Sequence, residues 1–388
     1  NVSEKYIQQV SILLFIVGVD FILQLLQVPF SSFFYYEEKI YYSYYTTILS
    51  NICKIVVVVI SFNIYEPVIW GAYLGAVIID GIALGAYTRY VKRHYIFLKT
   101  TINYFRSDRL KSVVGSGIWV SLSKLAATLL SSCSSYLVNI LIGVYMAGIY
   151  GSISQIQSIL SFITIAVVNV FLPHMYKLYA LGKGNKELIL YTKNSLKILS
   201  MLLGIVTGGL IIYGAQFMSL WISKEYLGYR CLLIISVSYL ALTCSAEMIN
   251  QLLITINKTK VPAIVSVIAG ILNVFLAFVS VTMLNMGIYG IALTQLLVLC
   301  IRSGIWMPVY AAKCIHQKWN IFVNKQLSSF KSMVITIVIG YLVDCIINVD
   351  SWLKLIVAGG VTGILTISFL LVIDLDVRRY FKSFRKRG

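Results

Sequence analysis

Unbroken apolar runs about as long as a bilayer crossing recur from one end of this chain to the other, and no other feature restricts its folding as much. A run of about twenty apolar residues spans the hydrocarbon layer as a helix. Inside that layer no water is available to backbone amides and carbonyls, so a crossing segment must be a helix or part of a closed barrel. Continuous rather than alternating runs select helices. The breaks between runs give eleven spans, roughly 6–34, 43–62, 67–89, 114–142, 147–173, 195–219, 231–254, 262–283, 288–311, 331–348 and 353–374. The expected fold class is therefore all-α integral membrane, a bundle of about 11 transmembrane helices. A composition of 59% hydrophobic and 12% charged residues, with mean hydropathy +0.87, leaves too little charge to cover a soluble domain of 388 residues.

The formal charge of +18 is explained by topology rather than by a nucleic-acid partner. If 90–112 is cytoplasmic, then 35–42, 174–194, 255–261, 312–331 and the tail are too, and with Arg89 they hold 24 of the 32 basic residues. Only Lys5, Lys224, Arg230 and Lys354 fall outside, while Lys54, Lys124, Lys197 and Arg302 lie within spans. The basic tail, Arg378, Arg379, Lys382, Arg385, Lys386 and Arg387, reads as a segment held at anionic membrane lipids, with the C-terminus cytoplasmic. Outer loops are short, which weighs against an external catalytic domain. The first residue is Asn and no signal peptide is visible, so the chain reads as lacking its true start. Seven cysteines without CxxC spacing imply neither a disulfide framework nor a metal site.

Ionisable side chains at bilayer depth cost about 2.5–3.5 kcal/mol each on insertion scales, so they are expected to line a cavity or to pair. Asp20, Lys54, Asp80, Lys124, Glu247 and Arg302 fall well inside their spans, whereas Lys197 and Asp344 lie near span ends and can snorkel. Residues three and four apart share a helix face. Asp20, Gln24, Gln27 and Ser31 form one such stripe, and Thr47, Asn51 and Lys54 another. In the fourth span Ser121, Lys124, Thr128, Ser131, Ser135 and Asn139 follow one face, while Ser154, Ser158 and Ser161 mark the fifth and Thr243, Glu247 and Gln251 the seventh. For the serines alone, close helix packing is the simpler account. For Lys54, Lys124 and Arg302 a water-filled cavity is favoured, because packing requires no charge. Asp20, Asp80 and Glu247 are then their charge partners or separate H+ or Na+ coupling sites. Soluble-enzyme motifs such as GxxxxGK[ST], HExxH and GxSxG are absent. Asp374-Leu375-Asp376 reads as a helix end, and His94, His174 and His316 are not grouped.

Between about 112 and 311 a spread-out pattern runs through Gly143, Ala147-Gly148-Ile149-Tyr150, Pro173 closing a span before the basic Lys177 to Lys186 loop, and Leu220-Trp221-Ile222. It continues through Lys258 to Lys260, Asn273 and Gly287-Ile288-Tyr289-Gly290-Ile291-Ala292-Leu293-Thr294. In order and spacing this resembles the polysaccharide and oligosaccharide-lipid flippases of the multidrug/oligosaccharidyl-lipid/polysaccharide exporter superfamily. The first three spans look like helices four to six of that family, so on this mapping helices one to three are missing. The corresponding division is a partial N-terminal lobe at 1–90, a basic cytoplasmic linker at 91–112, a C-terminal lobe at 113–314, an extra helix pair at 328–374 and a basic tail at 375–388.

The resemblance implies a two-lobed bundle around a cavity that opens alternately to each side, and a transporter rather than an enzyme, without a cofactor. The implied cargo is an undecaprenyl-pyrophosphate-linked oligosaccharide moved outward across a bacterial inner membrane for capsule, O-antigen or exopolysaccharide synthesis. A polymerase and a chain-length regulator are the implied partners, and a monomer the implied state. Lys54, Lys124 and Arg302 would hold the anionic head, with Asn51, Thr128, Ser131 and Ser135 beside them. Many relatives carry an acid near 134–135, where this chain has Ser134-Ser135, so the coupling carboxylate stays unassigned. A cation-coupled multidrug antiporter and a lipid II flippase of the same superfamily are the alternatives, and a membrane polysaccharide polymerase or a scaffold the alternatives of another class.

Overall fold

The computed structural model describes residues 4–36, 40–64, 69–94, 107–181 and 184–373, and among them there are helices and turns but no strand. Among the described residues ten helical stretches are long and apolar enough to cross a membrane, making the protein an all-α, multi-pass membrane protein. The remaining expected span, 114–142, is a helix of 35 residues whose serines and charges make it less apolar than the rest. By contacts the chain divides into two compact units, Asn1–Arg106 and Ser107–Gly388.

In the first unit, α1 (Glu4–Tyr36), α2 (Ile40–Ile64) and α3 (Ile69–His94) form a three-helix group with α3 against both others. Outward-facing residues are large and apolar, as lipid-facing positions are, so little hydrophobic effect drives the helices together. Specific contacts do so instead. Phe34 is buried against Tyr87 and Tyr90, with ring centroids 5.6 and 5.2 Å away. Gln27 donates Nε2 to the Asp80 carbonyl at 2.8 Å.

The second unit contains α4 (Ser107–Leu141), α5 (Val144–Ala180), α6 (Gly184–Trp221), α7 (Arg230–Ser238), α8 (Leu240–Thr255), α9 (Lys260–Thr282), α10 (Gly287–Leu299), α11 (Met307–Cys314), α12 (Asn320–Gln326), α13 (Ser328–Ile346) and α14 (Trp352–Ile373). α6 is its buried axis, touched by α5, α7, α8, α12, α13 and α14. Its seam with α13 is made by Gly204 and Gly208: a methyl group on Gly204 would overlap Ser332 Oγ and the Ser329 carbonyl, and one on Gly208 would lie 2.7 Å from Thr336 Cβ. Small residues four apart let two helices approach to backbone contact. Ser332 Oγ then donates across the seam to the Met201 carbonyl at 3.0 Å, and Tyr213 hydroxyl reaches Gly340 O and Thr362 Oγ1, both at 3.0 Å, fastening α13 and α14 to α6.

Several expectations are revised. α5 runs through Pro173 to Ala180, so that proline does not close the span; a membrane helix tolerates the missing N–H when neighbours compensate. Lys197 is buried on α6 rather than snorkelled to an interface, because α6 begins at Gly184, well before the expected boundary. The expected seventh span is broken at Tyr239 into α7 and α8, preceded by a 3-10 turn at Lys224–Tyr229. The ninth contains a π-helical segment, Cys300–Trp306, between α10 and α11. Pro308 accounts for part of this: the Met307 N–H bonds to Arg302 O in π register, and in that register the Ser303 carbonyl would need the N–H that proline lacks. Gly143 joins α4 to α5 at φ 131, a conformation side-chain-bearing residues avoid.

Candidate functional site

The polar stripes of α4, α5 and α8 converge in the second unit on one cavity of about 820 Å3. α4 contributes Lys124, Thr128 and Ser135; α5 contributes Ser154, Gln157, Ser158 and Ser161; the α7–α8 break and α8 contribute Tyr239, Thr243, Glu247, Asn250 and Gln251. Ser266 of α9, Gln295 of α10 and Arg302 of the π segment complete the polar wall.

Cross-helix contacts show which residues share a level. α4 and α9 are fixed in parallel register by Lys260 over the Trp119 ring at 5.3 Å and by Asn273 donating to Ser134 Oγ at 3.4 Å. Counting between these two points sets Lys124 level with Ile264, within one helical turn of Ser266. Arg302 joins the same level, since its Nη2 and Nε both donate to Ser266 Oγ, at 2.6 and 3.1 Å. Farther along, Tyr150 donates its hydroxyl to Gln295 Oε1 at 2.5 Å, in the layer of Ser134 and Asn273. The cavity thus has a charged level holding Lys124, Glu247 and Arg302 and a neutral level holding Ser135, Gln157, Tyr239 and Gln295.

Glu247 is half-buried and does not neutralise the cations by contact. Its carboxylate accepts from Gln251 Nε2 at 2.7 Å and from Asn250 Nδ2 at 3.4 Å. No ion pair joins it to Lys124 or Arg302, although both charges act on it. Two cations against one acid, with Glu247 bonded to Gln251 and Asn250 and Arg302 to Ser266, leave a site of net positive charge that suits an anionic group more than a cationic one. The π segment is what brings Arg302 here, and π turns are common where a helix presents a side chain to a ligand.

Of the other expected site residues, Lys54, Asp80, Asp20 and Asn51 lie in the first unit and Ser131 in the second. Lys54 Nζ meets both carboxylate oxygens of Asp80, at 2.6 and 2.8 Å, which makes Asp80 its charge partner. Asp20 Oδ2 accepts from Gln24 at 2.8 Å, while Asp20 Oδ1 is buried without a hydrogen-bond partner. Asp20 is close enough to Asp80 and Lys54 to interact with both. Asn51 is exposed on α2. Ser131 sits on α4, with its side chain outside the described residues. Gln157 stands alongside the serine stripe of the fifth span in the sequence, whereas Tyr239, Ser266 and Gln295 were not singled out from it, since lone amides and hydroxyls in apolar helices look the same whether they pack or bind. Among the described residues no group of His, Cys, Asp and Glu could hold a metal ion. The basic tail and Asp374-Leu375-Asp376 lie outside the described residues.

The fold and cavity together define a multi-pass helical membrane protein with a cavity in its second unit that two cations and one acid line. Its fold is similar to that of the lipid II flippase MurJ in an inward closed conformation, with TM-score 0.64 and 18% sequence identity over 92% of this chain and 74% of that one. In sequence it is 25% identical over 396 residues to the protein described as uncharacterized membrane protein EpsK of Bacillus subtilis (strain 168), a match that covers the whole chain and 77% of that protein. No family model matches it.

Proposed function

We propose that this protein is a flippase for undecaprenyl-pyrophosphate-linked oligosaccharide repeat units, moving them from the cytoplasmic to the outer leaflet of a bacterial inner membrane for capsule, O-antigen or exopolysaccharide synthesis. The observation that carries the reading is that Lys124 and Arg302 line one cavity with a single acid, Glu247, and with many hydroxyls and amides set among apolar residues. Cations suit a pyrophosphate, hydroxyls and amides suit sugar, and the isoprenoid remains in the bilayer. Likeness in fold to a lipid II flippase supports a lipid-linked cargo over a soluble one. On this reading the protein is a transporter, works beside a polymerase and a chain-length regulator, and has its C-terminus in the cytoplasm. Coupling to H+ or Na+ would use the Asp20–Asp80 carboxyls beside Lys54, or Glu247. Lipid II itself is the second reading, since the fold likeness fits it equally well.

The test is polymer export in a strain lacking its repeat-unit flippase and carrying this gene, with wild type beside Lys124→Ala. Restoration by wild type and its loss in the variant are expected. No restoration, combined with rescue of growth in a strain depleted of its lipid II flippase, would replace the first reading with the second.

A further inference from the structure

The neutral level of the cavity is a built hydrogen-bonding surface with no ionisable partner of its own. Gln157 is held by the bond from its Nε2 to the Ser236 carbonyl at 3.1 Å, which leaves its oxygen as the open acceptor. Gln295 is 4% exposed and held the opposite way: Tyr150 donates to its Oε1, which leaves Nε2 as the open donor. Tyr239 lines the same chamber and is 2% exposed, and its hydroxyl, which faces the Gln157 side chain, makes no hydrogen bond of good geometry to any described residue. A buried hydroxyl left unpaired costs about 1–3 kcal/mol, and apolar replacements that avoid the cost are readily available. An acceptor, a donor and a group that can do both, each on a different helix and two of them pinned from behind, are what an uncharged, hydroxyl-bearing or amide-bearing ligand requires.

The spacing relates this surface to the charged level. Gln295 precedes Arg302 by two helical turns, roughly 10 Å along the axis, and Tyr239 precedes Glu247 by roughly 12 Å. A phosphate and the sugar bonded to it bridge such a gap together. Resting on the flippase reading, we infer that Gln157, Tyr239 and Gln295 form the recognition site for the neutral sugar nearest the phosphate, so that the first sugar of the repeat unit is selected here while the charged level holds the phosphate common to all such lipids.

Binding to the full chain in lipid nanodiscs, read by native mass spectrometry, tests this with two probes: undecaprenyl pyrophosphate, and the same lipid carrying one N-acetylglucosamine. Wild type is expected to bind the sugar-bearing probe about tenfold more tightly. Tyr239→Phe and Gln295→Leu should bring that ratio close to one with affinity for the sugar-free probe unchanged. Tyr239→Phe removes a single unpaired hydroxyl, so its thermal midpoint should hold or rise, and it reports on the site even where Gln295→Leu does not fold. A tenfold preference that survives both substitutions would overturn the inference. Equal binding of the two probes by wild type would overturn it while leaving the flippase reading in place. Binding of neither probe would overturn the flippase reading, and this site with it.

Discussion

Gln326 of α12 donates its side-chain amide to Ser303 O at 3.1 Å and to Leu242 O at 2.7 Å, joining the π segment to the start of α8 through one side chain. Pro308 denies the Ser303 carbonyl a backbone donor in π register, and Gln326, 1% exposed, supplies one instead. The residue that carries Arg302 into the cavity and the helix that carries Glu247 are therefore fixed by the same amide. Gln326→Leu should lower stability by about 1–3 kcal/mol through the unsatisfied carbonyls, measured as thermal unfolding in detergent. Unchanged stability would mean that the π segment holds its register without the amide.

Arg302→Lys should reduce transport by about tenfold or more with little change in folding. A lysine keeps the charge but cannot place two donors on Ser266 Oγ at once, so its ammonium would be free to move off the level of Lys124. Export by the variant, compared with wild type at equal membrane abundance, checks this.

Lys54→Met should destabilise the protein by about 3–5 kcal/mol, because it leaves Asp80 buried beside the Asp20 carboxyl without its counter-charge. The double variant Lys54→Met with Asp80→Leu should recover most of that loss. A double-mutant cycle on unfolding measures the coupling, and additive losses would show that the pair is not what holds α2 to α3.

Gly204→Ala and Gly209→Ala differ by a single turn-face of the same helix and should differ in outcome. The first drives a methyl group into the Ser329 backbone and should cost about 1–3 kcal/mol or more; the second meets nothing within 4 Å and should be neutral or slightly stabilising. Thermal midpoints of the two variants decide it.

What could be read from sequence was whatever hydrocarbon makes expensive. The spans, their helical nature and the charged stripe residues Lys124, Glu247 and Arg302 follow from that cost, and the structure places those three in one cavity. The neutral half was only partly legible: Ser135 and Gln157 lie on or beside polar stripes, but Tyr239 and Gln295 cost little enough that apolar helices carry such residues for packing alone. The break at Tyr239 has no glycine or proline to announce it. Pro308 did mark the π segment, but a proline near a span end is ordinary. The Gly204–Gly208 spacing was a readable sign of the α13 contact, whereas Asn51, in step with Lys54, is exposed on α2.

The Lys54–Asp80 pair also bears on how the chain enters the membrane. α2 and α3 leave the ribosome one after the other, and each carries a charge that alone would add about 2.5–3.5 kcal/mol to partitioning. Joined, the two charges can leave the translocon as a single neutral hairpin. Pairwise biogenesis of this region is the expected outcome: glycosylation mapping should show α2 inserting less completely when α3 is deleted or carries Asp80→Lys, and recovering when Lys54→Asp restores opposite charges.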